Sequence, residues 1–137
     1  MRTTSDTIRG KTIAITGAAR GIGFATAQAL LRRGAHVIIG DRDVHALESA
    51  VAELSALGQV TGYPLDVTDP ASFAAFLDHD QLDVLINNAG VMPVGPFLTQ
   101  TDQTIRTALE VNLAGVLTGC RLALPDMVAR RSGHIIN

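Results

Sequence analysis

Thr12-Ile13-Ala14-Ile15-Thr16 is a short run of mostly β-forming residues that is apolar at consecutive positions, not alternating ones, and it stops at Gly17. A strand that is apolar on both faces has to be covered on both, and that condition is met in parallel sheets packed between helices. The same signature recurs along the chain. His36-Val37-Ile38-Ile39 reads as a second strand, Val60 to Val67 as a third and less regular one, Leu82 to Ile86 as a fourth, and Ile135-Ile136 as the start of a fifth.

Helical patterns fill the intervals. Ile22 to Arg33 is rich in helix formers and ends at Gly34; Val44, Leu47, Val51 and Leu54 recur every three or four residues up to Gly58. Thr68-Asp69-Pro70 supplies a capping side chain and a first-turn proline, with Phe73, Phe76 and Leu77 facing inward. After the loop V-M-P-V-G-P, one long helix is expected from about Asp102 to about Arg131, interrupted or kinked near Pro125. Regular alternation of strand and helix, together with the right-handed crossover rule, predicts an α/β fold: a doubly wound parallel sheet of Rossmann type, incomplete at its C-terminal side.

Composition bounds the alternatives. A chain of 137 residues suffices for a single domain, residues 1–137, but is short for two. With 47% hydrophobic and 18% charged residues and a formal net charge of −2, it is neither disordered nor basic enough for a global nucleic-acid field, and no nucleic-acid partner is expected. Cys120 has no second cysteine to pair with, which suits a reducing compartment. The N-terminal M-R-T-T-S-D-T-I-R-G-K lacks the apolar centre of a secretory signal. Val111 to Ala123, carrying Asn112, one threonine, two glycines and Arg121, reads as a buried helix and not as a membrane span. A soluble, cytoplasmic domain with no membrane partner is the expectation, and no metal-ligand cluster stands out.

Chemistry enters at the first turn. Thr16 to Gly23, T-G-A-A-R-G-I-G, joins the first strand to the first helix and holds three glycines. They can be ordinary turn glycines. They also suit a tight turn, close backbone approach to a diphosphate and close helix packing, while the helix N-terminus offers unpaired N–H groups and the positive end of its dipole. Asp41, 20 residues after Gly21 at the end of the second strand, has the spacing of an acid that accepts from adenosine ribose hydroxyls. Dinucleotide binding is therefore predicted, and a P-loop is excluded because no Gly-Lys-Ser/Thr follows. Gly17, Arg20, Gly21 and Ile22 are expected to line the diphosphate.

The glycine spacing G-x-x-x-G-x-G, joined to N-N-A-G at Asn87 to Gly90 directly after the fourth strand, resembles the short-chain dehydrogenase/reductase family from Lys11 to Asn137. The resemblance implies an NAD(P)-dependent oxidoreductase that transfers hydride between nicotinamide and an alcohol/ketone substrate, and a homo-oligomer in the complete enzyme. It places Asn88, Ala89 and Gly90 among the cofactor contacts. L-D-V-T, Leu65 to Thr68, matches the segment beside the adenine, with Asp66 and Val67 in contact. Val111 and Asn112 match the position of an active-site asparagine that shapes its helix and holds a water in the proton relay. Without the resemblance, Asn112 is a polar residue tolerated in a helix.

Cofactor choice is a contest of charges. Asp41 can accept from both ribose hydroxyls and would repel a 2′-phosphate, which favours NAD. Arg20 and Arg42 argue for NADP, since basic residues at these family positions pair with that phosphate, although either can be a solvated surface charge. Two departures from the family remain. The stretch from Asp66 to Asn87 is several residues shorter than usual around D-H-D-Q. The family's catalytic serine and Tyr-x-x-x-Lys are missing too: the single tyrosine, Tyr63, and single lysine, Lys11, lie in no such motif, and Ser132 precedes the last strand. The chain is expected to be the cofactor-binding part of a dehydrogenase, through truncation, frameshift or an incomplete chain, and inactive by itself. The alternative is a non-catalytic nucleotide-binding or interaction module.

Overall fold

A computed structural model describes residues 7–79 and 81–137. Five strands and the intervening helices alternate along the chain: β1 (Thr12–Thr16), α1 (Gly21–Arg32), β2 (His36–Asp41), α2 (Val44–Leu54), β3 (Val60–Pro64), α3 (Pro70–Leu77), β4 (Val84–Ile86), α4 (Asp102–Leu109), α5 (Val116–Ala129) and β5 (His134–Ile136). The strands form one sheet in the order β3-β2-β1-β4-β5, and every pairing is parallel. That is the doubly wound arrangement the consecutive apolar positions require.

The pleat explains why the central strands do not alternate. Ile13, Ile15, Val37 and Ile39 point to the face covered by α1 and α2, where they join Ala27, Leu31, Leu47, Ala50 and Leu54 in one core. Ala14, Ile38 and Leu85 point the other way and join Phe73, Phe76, Val111, Ala123 and Met127. β1, β2 and β4 thus feed two cores, which is why apolar residues stand at consecutive positions in them. Side-chain caps start three helices: Asp43 accepts from Ala46 N, Asp69 from Ala71 N and Thr101 from Thr104 N.

Three boundaries differ from the sequence expectation. The third strand ends at Pro64, three residues before Val67, because after Leu65 N bonds to Asp41 O the chain folds on itself: Asp66 N donates to Ser72 Oγ and the Asp66 carboxylate accepts from Thr68. β4 begins at Val84 and not at Leu82; Asp83 instead turns its carboxylate to Thr12 N and Lys11 Nζ. The long helix is interrupted not at Pro125, which lies inside α5, but by a π turn over Glu110–Gly115. The N-terminal residues 1–6, and Asp80 of the D-H-D-Q segment, lie outside the described residues.

Burial of that long helix is one-sided. Val111, Gly115, Gly119, Ala123 and Met127 are buried in a single stripe, whereas Leu109, Leu113, Leu117, Leu124 and Val128 are exposed. A stripe of that kind is what i, i+4 spacing produces when only one side meets the sheet. Small residues let the helix approach closely: a side chain at Gly119 would meet the ring of Phe73 at 2.7 Å. The span from Asp102 to Ala129 is long and apolar enough to cross a membrane by length and composition, with 22% of its most apolar window buried. The buried helix expected from the sequence is therefore half right.

Candidate dinucleotide site

The loops that leave β1, β2, β3 and β4 all emerge at the same edge of the sheet and enclose a crevice of about 530 Å³. It sits where the strand order reverses, between β1 and β4, the place at which open α/β sheets leave a cleft outside their carboxyl ends. Eleven of the residues singled out from sequence line it: Gly17, Arg20, Ile22, Asp41, Arg42, Asp66, Val67, Asn88, Ala89, Gly90 and Val111. Gly21 and Asn112 do not.

The glycines of the first loop have separate physical reasons. Gly17 has φ +66, and a Cβ built there would stand 2.7 Å from Ala89 Cα, so the N-N-A-G backbone passes directly over it. Gly21 also has a positive φ, +60, but faces open space. Gly23 is buried in the first turn of α1, and a Cβ there would meet Asn88 Nδ2 at 2.6 Å and Gly17 O at 2.7 Å. Gly17 and Gly23 exclude side chains by contact, Gly21 by backbone conformation alone.

Hydrogen bonds from two distant segments hold this loop. Thr16, 1% exposed, accepts at Oγ1 from Asn88 N at 3.0 Å and Ala89 N at 2.9 Å. Asn88 Nδ2 donates to Thr16 O and Gly17 O, both at 3.0 Å. On the opposite side, Asp41 Oδ2 accepts from Ala19 N and its Oδ1 from Asp43 N, each at 3.1 Å. Asp41 and Asn88 are therefore braces of the loop as well as walls of the crevice. α1 starts in this cradle with no acid in its first turn and, unlike the capped α2, α3 and α4, with no side-chain cap at Arg20. Its first N–H groups are left facing the crevice mouth with the positive end of the helix dipole.

Asp66 is fixed beside it. The Thr68 hydroxyl and then the Thr68 N–H hold its carboxyl below the usual carboxylate range, partial burial opposes them, and the Arg42 charge adds in their direction. Asn112 lies in the π turn, exposed and outside the crevice lining. Its Oδ1 accepts from Val91 N and its Nδ2 donates to Val91 O, both at 2.8 Å, so its carboxamide ties the long helix to the loop after β4. π turns of this kind recur at functional sites because they reposition one side chain of a helix. Three lining residues escaped the sequence reading: Asp43, Leu65 and Val91. Leu65 opens the L-D-V-T motif and Val91 directly follows N-N-A-G, and Asp43 was visible as an acid directly before the apolar helix beginning at Val44.

Fold and crevice together define a Rossmann-type α/β domain. More narrowly, the chain belongs to the short chain dehydrogenase family, which it matches over residues 11–137. It is 38% identical over 132 residues to the probable oxidoreductase EphD of Mycobacterium tuberculosis, covering 91% of this chain and 22% of that protein. Among solved structures it is similar to a short-chain dehydrogenase/reductase from Burkholderia phymatum in complex with NAD, with 32% identity and a TM-score of 0.88, covering 93% of this chain and 48% of that one. A metagenomic short-chain oxidoreductase in complex with NADP is 36% identical with a TM-score of 0.86, covering 95% of this chain and 62% of that one. Against other curated oxidoreductases, from Escherichia coli and Listeria monocytogenes, the chain spans 51% and 55% of their length.

Proposed function

We propose that this chain supplies the dinucleotide site of an NAD(P)-dependent oxidoreductase, with NAD the preferred cofactor. The observation that carries the reading is the cradle itself: an uncapped helix N-terminus, opened by glycines that a Cβ would obstruct, beside a carboxylate at the end of β2. A diphosphate would sit on the α1 amides near Gly17, Gly21 and Ile22, the adenosine ribose against Asp41, and the adenine between Asp66 and Val67. When bound, the nicotinamide would accept hydride from an alcohol or donate it to the corresponding ketone, and NAD-bound and NADP-bound relatives support that class of reaction. Asn112 would act through the loop it anchors.

The remaining chemistry has no acid/base couple at the crevice among the described residues. Lys11 pairs with Asp83 at the opposite end of β1, and Tyr63 packs at a tilt against His79 with ring centroids 5.1 Å apart. That favours, for this chain taken alone, binding without turnover. The exposed stripe Leu109, Leu113, Leu117, Leu124 and Val128 supports a homo-oligomer in the protein that carries the fold, and a cytoplasmic setting fits the family.

Calorimetric titration of the purified chain with NAD, NADP and ATP tests the reading. NAD should bind with saturable 1:1 heat and more tightly than ATP. Absence of dinucleotide binding to a folded chain would refute it, and hydride transfer from NADH to any of a panel of ketones by the 137-residue chain would refute the claim that it binds without turnover.

A further inference from the structure

The dinucleotide reading, on which this inference rests, leaves two acids and two arginines at the ribose end of one crevice. We propose that Asp43 is a further determinant of cofactor choice, a positioning residue that holds Arg20 away from a 2′-phosphate. Three contacts fix Asp43. Its own N–H donates to Asp41 Oδ1 at 3.1 Å, and its Oδ1 caps α2 by accepting from Ala46 N at 3.0 Å. Its Oδ2 is then directed across the crevice edge, where it accepts from Arg20 Nη2 in an ion pair. Arg20, Asp41, Arg42 and Asp43 all line the same crevice.

The consequence follows from charge accounting. A free guanidinium at Arg20 would offer paired donors to a phosphate. Bound to Asp43 it is neutralised, and a 2′-phosphate would have to break that pair to reach it. The Ala46 N–H first, and then Arg20, hold the Asp43 carboxyl below the usual range, so it stays ionised at neutral pH. Arg42, whose charge acts on Asp66, lines the same crevice and makes no side-chain hydrogen bond or ion pair among the described residues.

Cap chemistry makes the test clean, because asparagine and serine cap helices about as well as aspartate. Asp43→Asn and Asp43→Ser should leave α2 intact by circular dichroism while removing the charge. Titrated with NAD and NADP in low salt, both variants should lower the ratio of the NADP to the NAD dissociation constant by about tenfold, the scale of one screened charge close to a phosphate. In an Arg20→Gln background the same substitutions should change the ratio by about twofold or less, and added salt should shrink the gain. If the wild type binds NAD but both variants keep its ratio, or if the gain survives undiminished without Arg20, Asp43 does not act through Arg20 and the inference falls. A folded wild type that binds neither nucleotide overturns the dinucleotide reading itself.

Discussion

Replacing Gly17 by alanine separates contact from conformation in the phosphate loop. At φ +66 an alanine pays about 1 kcal/mol of left-handed strain, and Gly21, at φ +60, would pay the same. Only Gly17 adds a steric term: its Cβ would lie 2.7 Å from Ala89 Cα and 3.1 Å from Ala89 N, and both are backbone atoms that no rotamer change can move. Forcing β4's following turn away is an overpacking cost of about 1–3 kcal/mol. Gly17→Ala should therefore lose about 2–4 kcal/mol, and Gly21→Ala about 1 kcal/mol, out of a typical total of about 5–15 kcal/mol. For a domain of this size that is a fall in Tm of about 10 °C against about 4 °C, read by differential scanning calorimetry. Moving that turn also strips Thr16 Oγ1 of its two N–H donors, Asn88 and Ala89. Dinucleotide affinity in Gly17→Ala should drop with stability, whereas Gly21→Ala should keep its fold. Equal losses in the two variants would show that the N-N-A-G turn does not press on Gly17, and would refute the steric argument.

Asp66 yields a pH prediction with a definite sign. Its folded value is depressed, first by the Thr68 hydroxyl, so its contribution is fully present above the ordinary carboxylate value of about 4 and is lost as pH falls through the depressed one. Thr68→Val should reduce stability at pH 7 and make acid unfolding less steep, as followed by circular dichroism; a variant with the wild-type acid profile would show that the hydroxyl contributes nothing. Asn112→Ala removes both hydrogen bonds to Val91 and should cost about 1–3 kcal/mol, with faster amide exchange at Val91 and proteolytic cleavage in the following loop; exchange no faster than in the wild type would contradict the clamp.

Strand positions, the glycine loop and the acid at the end of β2 were legible in sequence because each rests on a short-range rule. A buried parallel strand shows consecutive apolar residues, a tight turn demands glycine, and the spacing from Gly21 to Asp41 follows from one helix and one strand. What needed the tertiary structure were the facts that join residues far apart in the chain. Asp41 as an acceptor for Ala19, Asn88 as a brace for Gly17, and Asn112 as a clamp on Val91 are pairings across 22, 71 and 21 residues, which no local pattern encodes. The interruption of the long helix belongs here too. Proline is the local signal for a break, yet the helix departs from regularity at Glu110–Gly115, where Gly115 packs on Val67 and Asn112 is drawn to the β4 loop. The charge balance at Arg20 was likewise decided by folding. From sequence Arg20 and Asp43 are two solvated charges in separate turns, and only the register of β1 against β2 sets those turns side by side, so that Asp43 can neutralise the arginine a phosphate would need.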